Sequence, residues 1–222
     1  MHRFTTATPI STVLDIPAGN VRFIAADRSD TTVEVLPANP GTSRDVKAAE
    51  QTTVDYADGV LRILNPAKNA SLRTPGSVEV TVQLPTGSHV DAKAASAEIR
   101  GVGRLGDVVF EGAHGPVKVD EAASVRLTTS AGDVTVGRLD GASQITTSQG
   151  DIHIAEAVSG ALELRTEKGT ISVDAAAGAS ASLDASTSYG RVHNSLRNSE
   201  GAGAELAIHA TTSYGDITAR SL

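Results

Sequence analysis

The chain has no cysteine and no tryptophan among its 222 residues. Without cysteine, disulfides and thiol chemistry are excluded, and the redox compartment stays open. Three Phe and three Tyr are the whole aromatic complement. A core must therefore be built from Val, Ile, Leu, Ala and Thr, and the stacking platform of single-strand nucleic-acid binders is missing. Basic residues are short as well: 19 Lys and Arg stand against 26 Asp and Glu, a net charge of −7. No basic stripe or polybasic cluster offers itself to nucleic acid or to an anionic membrane. No apolar run approaches the ~20 residues that cross a bilayer. The start, Met1-His2-Arg3-Phe4-Thr5-Thr6, lacks the apolar segment of a signal peptide. The expected address is the cytoplasm.

What is abundant is β-branched residues and punctuation, with 21 glycines and eight prolines. Together they predict many short strands. One phrase recurs. Ser130-Ala131-Gly132-Asp133-Val134-Thr135-Val136 returns as Ser148-Gln149-Gly150-Asp151-Ile152-His153-Ile154. It reappears around Gly169, Gly190 and Gly215, so the glycines stand 18, 19, 21 and 25 residues apart. A period near 20 with turn chemistry at one phase marks a solenoid, each copy being one rung.

Aligning the copies gives inward columns. Leu127, Ile145, Leu164, Ala185 and Ala210 share one, and Val134, Ile152, Ile171, Val192 and Ile217 share another. A threonine column, Thr129, Thr147, Thr166, Thr187 and Thr212, runs between them. Side chains alternate at period 2, so each copy supplies two strands with apolar residues inside. Each rung is expected to pair with the next in sequence, giving parallel sheets. Antiparallel hairpins, the rival arrangement, leave the unreversed alignment of the columns unexplained. The prediction is an all-β, single-stranded parallel β-helix.

The first half is less regular. Two strands are expected around a turn at Pro17-Ala18-Gly19-Asn20, and a third at Thr32-Val33-Glu34-Val35. The six residues from Asp45 to Glu50 lack an apolar stripe and read as irregular. Asp58-Gly59 between Tyr56 and Val60 is a strong hairpin signal. The polar connection over residues 65–76, containing Lys68, Asn69 and Arg73, reads as a mobile loop. Val78, Val80, Val82 and Leu84 mark the clearest strand. Gly115, Val117 and Val119 precede Gly132, Val134 and Val136 by 17 residues. Ala97-Glu98-Ile99, Gly19 before Val21, and Gly59 before Val60 suggest the same phase earlier. We therefore expect one solenoid, with irregular rungs over residues 1–95 and regular repeats over 96–222, in preference to two unrelated domains.

Thr187-Ser188-Tyr189-Gly190-Arg191-Val192-His193-Asn194, with Pro85-Thr86-Gly87-Ser88-His89-Val90 and Ala25-Ala26-Asp27-Arg28-Ser29-Asp30, resembles a bacterial β-strand-repeat family. That family is called toastrack, or putative adhesin, and its repeats run Ser-x-Gly-Asp-Val/Ile. The resemblance covers nearly the whole chain and implies a right-handed parallel β-helix. It implies no catalytic or ligand-binding residues. Relatives lie in the cytoplasm or beside membrane-stress signalling modules, and this chain carries no such module.

Four patterns could carry chemistry. Asp133, Asp151 and Asp216 follow turn glycines, and stacked carboxylates suit calcium. One Asp per rung, interrupted by Thr170 and Arg191, is poor provision, and local hydrogen bonding in the turn is the better reading. His153 and His193 share an outward column with Ser172 between them, about two rungs or ~10 Å apart. That is too far for one zinc, whose nitrogen ligands lie within ~2.1 Å. Arg126, Gln144, Glu163, Asp184 and His209 form a mixed outward column like that of polysaccharide lyases, although such mixtures are ordinary on solvated sheets. Tyr189 and Tyr214 share a turn column, either as a stabilising ladder or as an exposed pair that anchors a partner.

The rung at Gly215 is expected to be the terminal one, with residues 195–204 as its only available cover. Uncovered, it would associate end to end. The functional expectation is a non-enzymatic cytoplasmic scaffold or protein-interaction module. It would bind a protein or itself through Tyr189 and Tyr214, with no metal, no cofactor, no nucleic acid and no membrane insertion. The alternative is a carbohydrate-binding or carbohydrate-active β-helix.

Overall fold

The computed structural model describes residues 1–66 and 75–222. Lys68, Asn69 and Arg73 of the expected mobile loop lie outside the described residues. The chain is all-β, a β-solenoid, and it divides into two compact units, Met1–Gly115 and Pro116–Leu222.

The first unit holds β1 (His2–Thr5), β2 (Ser11–Ala26), β3 (Asp30–Pro37), α1 (Ser43–Gln51), β4 (Thr53–Ala57), β5 (Val60–Leu64), β6 (Val78–Pro85) and β7 (His89–His114). Val78, Val80, Val82 and Leu84 are all buried, as their alternation demands. The turn expected at residues 17–20 does not separate two strands. β2 runs through it, because Ser11 to Ile24 lie in parallel register with His89 to Val102 of β7. Residues 16–18 form only a corner: before it β2 pairs with β5, and after it with β6. Gly19 aligns with Ala97 and Val21 with Ile99, the repeat phase read from sequence. Gly59 does not share that phase. It closes the antiparallel β4–β5 hairpin beside Asp58, both with positive φ (78° and 51°). Antiparallel pairs β1–β3 and β3–β6 complete this mixed unit.

Residues 45–50, expected to be irregular, belong to helix α1. Tertiary contacts stabilise it where its own sequence does not. The buried Asp45 carboxylate accepts the Ser77 N–H at 3.0 Å, and the buried Asn65 amide donates to the Ala48 carbonyl at 2.9 Å.

The second unit is regular. Its strands are β8 (Val117–Ala131), β9 (Val134–Leu139), β10 (Ser143–Gln149), β11 (Ile152–Ala157), β12 (Gly160–Lys168), β13 (Ile171–Ala175), β14 (Ala181–Tyr189), β15 (Val192–Ser195), β16 (Leu206–Tyr214) and β17 (Ile217–Ser221). Every pairing recorded among them is parallel. Leu127, Ile145 and Leu164 lie directly in register and are buried. Ser143 fits the same apolar interior because its hydroxyl accepts the Val125 N–H at 2.8 Å.

One expectation fails. The last rungs do not stack in sequence order. β12 pairs with β16, and β16 in turn with β14; likewise β13 pairs with β17, and β17 with β15. The rung 206–221 is thus inserted between the rungs 160–175 and 181–195, and the latter is the outermost. Composition explains the order. Leu206, Ile208, Ala210, Ile217 and Ala219 are fully apolar inward residues and all are buried. The rung 181–195 would place Asn194 in the matching inward column. Its Oδ1 accepts the Leu196 N–H at 3.0 Å, but sandwiching would also bury the amide NH2 group, at a cost of about 1–3 kcal/mol where it meets no acceptor. At the end of the stack Asn194 remains exposed.

Candidate functional site

The turn between the two strands of each rung builds the most distinctive surface of the second unit. A methyl group added to Gly150 would lie 2.2 Å from the Gly132 carbonyl oxygen, and one on Gly169 would lie 2.0 Å from that of Gly150. The column continues from Gly215 against Gly169 to Gly190 against Gly215. Neighbouring rungs touch here, so no side chain fits.

Polar residues beside the glycines tie the turns together. Asp133 accepts the Asp151 N–H at 2.9 Å, Asp151 the Thr170 N–H at 2.7 Å, and Asp216 the Arg191 N–H at 2.8 Å. The threonines of the adjoining column donate to turn carbonyls: the buried Thr166 to Gly150 and Thr212 to Gly169, and the half-buried Thr187 to Gly215. Both ladders follow the spatial order 150, 169, 215, 190. The aspartates therefore serve the backbone of the next turn. No group of three or more His, Asp or Glu able to hold a metal occurs among the described residues.

Tyr189 and Tyr214 stand on this turn column, on β14 and β16, in direct register. Their rings stack with centroids 4.8 Å apart and planes 4° from parallel. They stay open to solvent, 67 % and 53 % exposed. Lys168 follows on the inner side of Tyr214, and Arg191 lies just beyond Gly190. Val192 on the same outer rung is 43 % exposed. The corner thus presents two stacked aromatic rings and an aliphatic side chain, flanked by cationic residues.

The remaining candidates separate. Between His153 and His193 lie both Ser172 and Thr218, so the histidines are three rungs apart, not two. His153 instead meets the Ser172 hydroxyl at 2.6 Å. The mixed column runs Arg126, Gln144, Glu163, His209, Asp184 in space. His209 and Asp184 approach to 3.4 Å on an open face, with side chains 57 % and 83 % exposed. A separate open cleft of about 220 Å³ lies on the first unit, lined by Asn20, Arg22, Glu79 and Glu98 among others. It brings together adjacent outward residues of β2, β6 and β7. Nothing in the repeat pattern signalled it, because β6 and β7 reach β2 from distant parts of the chain.

The outermost rung was also hidden from the sequence. Among the described residues, its strand β14 pairs with β16 alone, and β15 with β17 alone. The excursion 196–205 covers only its beginning: the Arg197 carbonyl accepts the Ala181 N–H at 3.0 Å. Ser180 is the anchor of that loop, its hydroxyl accepting the Ser199 and Glu200 N–H groups, each at 3.2 Å. Beyond Ala181, the inward residues Leu183, Ala185 and Thr187 are left half-buried.

The family model described as Toastrack DUF4097 matches residues 86–220. Among solved structures, a putative cell adhesion protein from Clostridium sporogenes is 11 % identical over 100 % of this chain and 98 % of its own, with a TM-score of 0.38. A putative adhesin from Bacteroides fragilis is 12 % identical over 98 % of this chain and 95 % of its own, with a TM-score of 0.43. A putative lipid binding protein from Parabacteroides distasonis is 11 % identical, over 98 % and 95 %, with a TM-score of 0.38. Among curated proteins, none matches the chain.

Proposed function

This chain belongs to the Toastrack DUF4097 family, and we propose that it is a non-enzymatic scaffold that docks a protein partner on the corner formed by Tyr189 and Tyr214. The supporting observation is that stacked, exposed pair. Aromatic rings are costly to leave in water, and they supply large contact area at little entropic cost when a partner covers them. Their mutual stacking also holds both rings in one orientation before any partner arrives, which lowers the ordering cost of binding. Lys168 and Arg191 beside them favour a partner surface with carboxylates around an apolar patch.

The test separates docking from a purely stabilising ladder. In the double variant Tyr189→Ser, Tyr214→Ser, the docking reading expects the melting temperature to stay near that of the parent. It also expects loss of the partner that the parent chain captures from its native host. A lowered melting temperature with unchanged capture would assign the pair to stability alone.

A further inference from the structure

The outermost rung carries a second surface, independent of the tyrosines. We propose that the exposed edge of β14 pairs with the same edge of a second copy of this chain, antiparallel and centred on Ala185, closing a two-fold dimer.

Backbone direction comes first. The Ala181 N–H points away from β16, towards the Arg197 carbonyl, whereas the Ser180 carbonyl points to β16 and accepts the Leu206 N–H. Backbone groups alternate in direction along a strand paired on one side. Leu183, Ala185 and Thr187 therefore turn their N–H and C=O groups outward with Ala181. Among the described residues no strand lies on that side.

The usual protections of an edge are sparse here. The strand Ala181–Tyr189 contains no proline, no lysine and one charge, Asp184. An occupant adding a strand must satisfy this row of backbone groups and cover the half-buried Leu183, Ala185 and Thr187.

The same segment meets those demands. Turned antiparallel about Ala185, it sets Ala185 against Ala185 and Leu183 against Thr187. Asp184 then faces Ser186, so the single carboxylate meets a hydroxyl and not its own copy. Inward residues continue the interior, and outward residues stay polar. The contact is isologous and closes at two copies.

The experiment follows the mass of the full chain with concentration, by sedimentation velocity and light scattering. The parent is expected to rise from the monomer mass towards twice that value and no further. Ser186→Asp puts carboxylates face to face across the contact and should weaken the dimer about tenfold or more. Ser186→Lys should tighten it by pairing with Asp184 of the second copy. Ser186 is exposed, so both variants are expected to fold. Ala185→Pro removes an outward N–H and should leave a monomer. A parent that remains monomeric at all concentrations overturns the proposal. So does a mass that grows beyond two copies, or a dimer whose strength ignores the sign of the charge at position 186. The change of both tyrosines to serine is expected to leave this dimer intact, so the two readings fail separately.

Discussion

Arg220 grips Asp174 with two parallel hydrogen bonds, Nε to Oδ1 at 2.8 Å and Nη2 to Oδ2 at 2.7 Å, across residues 46 apart in the chain. The Asp174 carboxylate is largely buried while the guanidinium reaches solvent. That hydrogen bond, reinforced by the charge of Asp174, holds the Arg220 guanidinium protonated above its already high range. Bidentate pairing of this kind is geometrically selective. It fastens β17 onto β13, and so fixes the inserted position of the final rung.

Loss of this clamp should loosen the rung locally. Arg220→Ala leaves the buried carboxylate without its partner and is expected to lower the melting temperature. It should also speed hydrogen exchange in residues 217–219 more than in residues 152–154. Arg220→Lys, which cannot reproduce the fork, should recover only part of the loss.

The order of the last two rungs gives a sharper contrast. Ile217 is buried within the stack, and Val192 sits exposed at its end. Ile217→Ala should cost about 2–5 kcal/mol, against about 0.5 kcal/mol or less for Val192→Ala. Stacking in sequence order would reverse the ranking, so denaturant unfolding of the two variants decides between the arrangements.

At the turn column, Gly150→Ala forces a methyl group against the Gly132 carbonyl at a φ of 142°. The expected cost is at least about 2 kcal/mol. Gly203→Ala, which meets nothing within 4 Å, should be nearly silent. Asp151→Ala removes one acceptor of the turn ladder and should cost about 0.5–1.5 kcal/mol. If the aspartates serve only that ladder, a calcium chelator shifts the melting temperature of neither parent nor variant. A chelator-sensitive melt would assign them to an ion.

The first unit supplies a pH-dependent contact. The Arg28 guanidinium, hydrogen-bonded to Asp30 and joined by the charges of Arg28 and Arg3, holds the Asp30 carboxyl below its ordinary range. A lowered carboxyl stabilises the fold fully above its unfolded-state value, and the contribution is lost as pH falls through the folded-state value. Asp30→Asn should therefore be less stable than the parent at neutral pH, with the gap narrowing in acid. Parallel denaturant curves at several pH values read this directly, and a gap that widens in acid would contradict it.

Much of the second unit was legible because its signals are local. Period-2 alternation placed Leu127, Ile145 and Leu164 inside, and turn glycines marked the corners. Asp58-Gly59 likewise announced a hairpin whose geometry depends on those two residues alone. Helix α1 was not legible, since Asp45 and Asn65 act through partners elsewhere in the chain. The corner in β2 reads from sequence as a turn between two strands, because Pro17 and Gly19 serve both and only the pairing with β7 shows one continuous strand.

The tyrosine pair lies between these cases. Its shared column was written in the repeat, but contact between the rings required β14 and β16 to be neighbours. Adjacent stacking in either order would give that contact, so the pair alone does not reveal which rung lies outermost. By itself the sequence determined the rung, its phase and its aliphatic interior, all of which follow from alternation and turn stereochemistry within about twenty residues. Only the tertiary structure decided that residues 206–221 slip beneath 181–195. Both segments carry the same periodic code, and the choice rests on which can be enclosed: one with Ile217 and a clamp for Asp174, the other with an asparagine that needs water.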